Sequence, residues 1–88
     1  MAPLASPYSE IIDERTYQDG KWGTAFDDKN TINDWAAYIG IYLATATTMH
    51  APKAKQREGL LKVASLAVAA LQAFDRNGGF PPRHYDNP

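Results

Sequence analysis

Arg15, Gln18, Lys21, Trp22, Asp27 and Asp28 fall within one short stretch, residues 15–28. A guanidinium takes a phosphate or a carboxylate through two parallel hydrogen bonds. An indole offers a flat stacking face, and Lys21 adds an ammonium beside it. Two accounts of the set stay open. In one, Arg15, Gln18, Lys21 and Trp22, with Asp27 and Asp28, form a site that grips a nucleotide-like anion without a metal. In the other, Arg15 pairs with Asp27 or Asp28 and staples a loop to the helices, while Trp22 and Phe26 plug the open end of a bundle. Both make Arg15→Ala destabilising. They part on whether Trp22 is accessible and whether a pocket lies beside it.

Lys53, Lys55 and Arg57 form a second cluster, in the first turn of a long helix. Three cations there oppose the helix dipole. Either an acidic neighbour, Glu58 and solvent compensate them, or cations and free N–H groups together make an anion site.

Three helices position these residues. The first runs from Pro7, behind a Ser6 cap, to about Asp19 and ends at Gly20. Tyr8, Ile11, Ile12 and Arg15 fall at i, i+3, i+4, i+7, a core-facing stripe that Arg15 interrupts. Residues 20–33 read as a loop. Thr31 or Asn33 caps the second helix, 34–48, whose apolar face is Trp35, Ile39, Tyr42, Leu43 and Ala46, widened by Tyr38. Pro52 ends that helix. The third, 53–76, is the organising element. At about 100° per residue, Glu58, Lys62, Ser65, Gln72 and Arg76 make one narrow polar stripe, and the rest of Leu60–Phe74 is apolar. A helix that apolar is packed on several sides. Asn77-Gly78-Gly79 stops it. Residues 1–6 read as a loose arm and 77–88 as a tail, with Phe80 and Tyr85 either lying against a subunit or disordered.

The chain has 88 residues, one small domain. It has no cysteine, so neither a disulfide framework nor a thiolate zinc site is available. His50 and His84 are far apart, and no metal ligand set or cofactor is expected. A core this small needs a supplement, which leaves oligomerisation. The expected interface is Leu60, Val63, Ala67, Ala70, Leu71 and Phe74. Net charge is −1, with −4 on residues 1–34 and +3 on residues 53–88. That split suits attraction between the two ends and argues against a general nucleic-acid binder. No signal peptide or membrane-length apolar run is present, so a cytoplasmic protein is expected.

Glu14-Arg15-Thr16-Tyr17-Gln18-Asp19-Gly20-Lys21-Trp22-Gly23 resembles the opening of small phage and prophage proteins similar to the MazG-like, all-α nucleotide pyrophosphohydrolases. There Glu-Arg, Gln and Lys-Trp-Gly precede a loop and a tryptophan that opens the next helix, here Trp35. Leu60–Leu71 looks like that group's alanine-valine helix and Asp75-Arg76 like its end, so the likeness covers about residues 10–76. The resemblance implies an all-α scaffold. In the family, paired acids on two facing helices bind magnesium, which polarises a triphosphate and activates water. Here Gly40-Ile41-Tyr42-Leu43-Ala44-Thr45 stands where acids belong, and the third helix has no acid between Glu58 and Asp75. The metal site does not carry over and no catalytic residue is assigned. The leading expectation is a non-catalytic phage or prophage protein that binds a nucleotide-like ligand or a host protein, in the host cytoplasm if phage-encoded. The alternatives are a metal-dependent pyrophosphohydrolase with relocated carboxylates and a structural assembly protein.

Overall fold

The structure is a computed structural model that describes residues 7–48 and 50–83. The expected arm over residues 1–6, and Tyr85 with the end of the tail, lie outside those residues. The fold is all-α: α1 (Pro7–Trp22), α2 (Thr24–Asp28), α3 (Ile32–Ala46) and α4 (Lys53–Asn77). Among the described residues none of the helices is long and apolar enough to cross a membrane.

The expected first helix continues three residues beyond Asp19. Gly20 is helical, and the chain turns instead at Gly23, with φ of 80°. A glycine inside a helix costs only about 1 kcal/mol, whereas a positive φ is a conformation that glycine adopts freely. The expected loop over 20–33 therefore contains a short helix, α2. Thr31 caps α3 through a capping box: its hydroxyl accepts from the Asp34 N–H, and its own N–H donates to the Asp34 carboxylate at 2.9 Å. His50, at φ of 69°, turns the chain between α3 and α4. α4 ends at Gly78 in the left-handed conformation, and the Gly79 N–H donates to the Phe74 carbonyl at 2.8 Å.

α3 and α4 form an antiparallel hairpin. At its closed end Gly59 lies against α3 so tightly that a Cβ there would stand 2.6 Å from the Ala46 Cβ and 3.0 Å from the Tyr42 carbonyl oxygen. At the other end the core is Trp35, 2% exposed, against Ala69, Ala70 and Ala73, with Tyr38, Leu66 and Phe80 closing over it. The alanines let α4 approach the indole. Phe80 crosses Phe74 edge-on at 5.2 Å, so the start of the tail packs on its own subunit. Ala70, expected at an interface between subunits, is inside this core.

α1 lies along α4 and is attached by charge. Most of the polar stripe of α4 faces α1 and α2 rather than solvent: Lys62 meets Glu14, Gln72 meets Arg15 and Arg76 meets Asp28, while Arg57, beside the stripe, meets Glu10 and Glu58 stays exposed. Ser65, in the middle of that stripe, is fully buried and donates to the Leu61 carbonyl at 2.8 Å. The stripe expected to face the core on α1 is reversed in the same way. Arg15 is its buried member, while Tyr8 and Ile12 are exposed.

Candidate functional site: an aromatic cleft at the junction of four helices

At the junction of α1, α2 and the hairpin, Arg15 gathers Gln18, Asp19, Asp27 and Gln72 around it. Only 8% of Arg15 is exposed. Its Nη1 donates to the Gln18 Oε1 at 2.8 Å, its Nη2 to the Asp19 carboxylate at 2.6 Å, and its Nε to the Gln72 Oε1 at 3.3 Å. The Asp27 carboxylate lies 3.7 Å away, an ion pair without a hydrogen bond. Gln18 passes the network on, donating to Glu14 at 3.0 Å, and the same Glu14 oxygen accepts from Lys62 at 3.3 Å. The guanidinium is thus turned inward onto protein acceptors. Burial pushes the Asp27 carboxyl above the usual carboxylate range, against the opposing pull of Arg15.

Beside this network lies a cleft of about 270 Å³ between α1, α2 and the hairpin. Trp22 stacks on Phe26 with ring centroids 5.2 Å apart, and Phe26 on Tyr38 at 6.3 Å. Trp35 meets Tyr38 edge-on. Trp22 itself is 53% exposed. Lys21 sits over the Trp22 ring at 4.9 Å and over Tyr17 at 5.9 Å. Among the described residues no carboxylate pairs with the Lys21 ammonium. The indole N–H of Trp35, which lines the cleft, has no hydrogen-bond partner there either.

Of the residues singled out in the sequence, Gln18, Lys21, Trp22 and Asp27 line this cleft and Arg15 stands behind it. Asp28 does not join them. It points to the end of α4, where Arg76 donates to it from Nε at 3.0 Å and Asn77 from Nδ2 at 3.0 Å, and these partners hold its carboxyl below the usual range. Arg15 is a structural staple, while Trp22 is accessible and a cleft lies beside it. Sequence reasoning missed Tyr38, Tyr42 and Lys62 as cleft residues. Tyr38 and Tyr42 share a helix face with Trp35, but the small Ala69 opposite leaves room along that face.

The second cationic cluster is largely engaged. Arg57 grips Glu10 bidentately, at 2.9 and 2.5 Å, and this lowers the Glu10 carboxyl below its usual range. Lys55 turns along its own helix toward Glu58 at 3.5 Å. Glu10 of the first helix thus compensates Arg57, and Glu58 of α4 itself offsets Lys55. Among the described residues no group of three or more histidine, cysteine, aspartate or glutamate side chains could hold a metal ion. Comparison of the chain with family models, curated proteins and solved structures returned no match.

Proposed function

We propose that the protein is a non-catalytic binding protein that takes a nucleotide-like ligand in the aromatic cleft, on a degenerate MazG-like helical scaffold of phage or prophage type acting in the cytoplasm. The observation that carries this reading is the exposed Trp22, stacked on Phe26, which in turn stacks on Tyr38, with the Lys21 ammonium, unpaired among the described residues, over its ring. A planar base stacks on aromatic faces whatever its identity, and a phosphate seeks an unpaired cation. A cleft of about 270 Å³ is at the small end of ligand sites. It suits a base, with the phosphates left at the rim where Lys21 is exposed. Binding by stacking and Lys21 needs no metal, and the carboxylates of Glu10, Glu14 and Asp28 already hold cations of the chain itself.

Tryptophan fluorescence titrated with nucleoside mono- and triphosphates, with and without magnesium, tests this. The expected result is a saturable change that is independent of magnesium, lost in Trp22→Phe and weakened at least tenfold in Lys21→Glu. Magnesium-dependent release of pyrophosphate that requires Asp27 or Glu14 would establish an enzyme instead. No response to any nucleotide would leave the assembly-protein reading.

A further inference from the structure

We infer that α4 pairs with α4 of a second copy, antiparallel, through the face that carries Leu60, Ala64, Ala67, Leu71 and Phe74. These residues recur at alternating steps of four and three, the spacing of a helix–helix seam. The other faces of α4 are occupied: Leu66, Ala70 and Ala73 pack toward Trp35 on α3, and Lys62, Gln72 and Arg76 reach α1 and α2. On the remaining face Leu60, Leu71 and Phe74 are 57%, 63% and 45% exposed. Large apolar side chains left exposed along one face of a helix whose other faces are packed mark that face as an interface.

Two features select a second copy as the occupant. First, the seam has small residues in its middle and large ones toward both ends. Two such helices crossing at Ala64 and Ala67 approach closely there, and Leu60 then lies toward the partner's Leu71, with Phe74 farther out at the opposite edge. The arrangement is the same from either subunit, as a two-fold interface requires. Second, charge sets the direction. Lys53, Lys55 and Arg57 lie at the N-terminal end of α4; Arg57 pairs with Glu10 and Lys55 with Glu58, which leaves Lys53, among the described residues, to weigh against Asp75, exposed near the C-terminal end. Parallel pairing would put the cationic ends of both copies together. Antiparallel pairing places each beside the partner's Asp75 and the negative end of its helix dipole.

The chain has no cysteine, so single cysteines report the geometry directly. Sedimentation equilibrium of the native chain at tens of micromolar should give the mass of two chains, and Ala67→Glu should halve it while the helical circular dichroism is kept. Mild oxidation should cross-link Leu60→Cys to Leu71→Cys when the two variants are mixed, and should cross-link Leu60→Cys alone at least tenfold less. A native chain of single mass overturns the proposal. So does efficient self-linkage of Leu60→Cys, which would show parallel pairing. If Ala67→Glu fails to fold, the mixed cysteine experiment still decides, because a mixture that does not cross-link refutes the antiparallel seam.

Discussion

Against α3, α4 sets a glycine on Ala46 and alanines on a tryptophan; against α1 and α2 it sets arginine and lysine on carboxylates and a glutamine on Arg15. The first interface works by proximity. Small side chains bring two backbones together, and the contact depends neither on pH nor on salt. The second works by pairing. Individual exposed ion pairs contribute about 0–1 kcal/mol, so α1 is held by several weak links around one buried centre, Arg15. The cleft lies where these two interfaces meet. One wall, with Trp35 and Tyr38, belongs to the rigid hairpin, and the other, with Lys21, Trp22 and Asp27, belongs to the charge-held arm. A ligand bridging the walls would stabilise the weaker attachment.

The largest effect is expected from filling the close approach. Gly59→Leu forces side-chain atoms into the backbone of Tyr42 and the Cβ of Ala46. Neither is the flexible end of a long side chain, so the helices must separate. A loss of about 3 kcal/mol is expected, typical of severe overpacking. Urea denaturation at low and high salt checks both the size and the character of the change: the loss should be the same at both.

Arg15→Ala tests the other interface. It leaves Asp27 buried without its counter-charge and removes four donated hydrogen bonds, to Gln18, to Asp19 and two to Gln72. A fully buried pair broken on one side costs about 3–5 kcal/mol. Asp19 is half-exposed and can rehydrate, so about 2 kcal/mol is expected here. Native-state hydrogen exchange should show the loss first in α1 and α2, with α3 and α4 still protected. If α3 loses protection together with α1, the arm and the hairpin are one cooperative unit and the contrast drawn above fails.

The same contrast explains what was legible in the sequence. Periodicity identified the residues sharing the polar stripe of α4 and the stripe of α1. It could not say which way either faced, because the partners stand 47 to 57 residues away in the chain. An apolar stripe is read as inward by default, and on α1 that default failed: Arg15 is inside, while Tyr8 and Ile12 are outside. On α4 the polar Ser65 is inside, whereas Leu71, expected at an interface between subunits, is exposed on this one. The uneven charge along the chain was the available signal, since an acidic start and a basic end predict a polar joint. Local chemistry was more readable: the Thr31 cap and the Gly78 stop depend only on neighbouring residues. Gly20 misled because a helix tolerates a glycine, and the true turn was set three residues later. The cleft was half legible. Lys21, Trp22 and Asp27 belong to one stretch, whereas Tyr38, Tyr42 and Lys62 join them only through tertiary packing.

The smallest expected effects sharpen the comparison through pH, because the carboxylates of the polar interface carry shifts of opposite sign. Glu10 and Asp28 are lowered from ordinary values of 4.5 and 3.8 by hydrogen bonds from Arg57 and Arg76. The stability they contribute is present above those ordinary values and is lost as pH falls through the lower folded ones. Asp27 is raised above 3.8 by burial. The folded state therefore binds its proton more tightly than the unfolded chain does, so ionising Asp27 lowers stability as pH rises from 3.8 through its raised value. On acidification Asp27 thus offsets part of what Glu10 and Asp28 lose. Asp27→Asn removes the buried ion while keeping an oxygen for Arg15, and should raise the thermal midpoint at pH 7. It should also steepen the fall in midpoint between pH 5 and pH 3, because the compensating protonation is gone. Glu10→Gln should do the reverse, lowering the midpoint at pH 7 and flattening the acid limb. Scanning calorimetry of the three proteins across that range checks both signs. A lowered midpoint for Asp27→Asn at pH 7 would mean that the Arg15 ion pair outweighs the burial of the carboxylate, and that the polar interface is stronger at its centre than its geometry indicates.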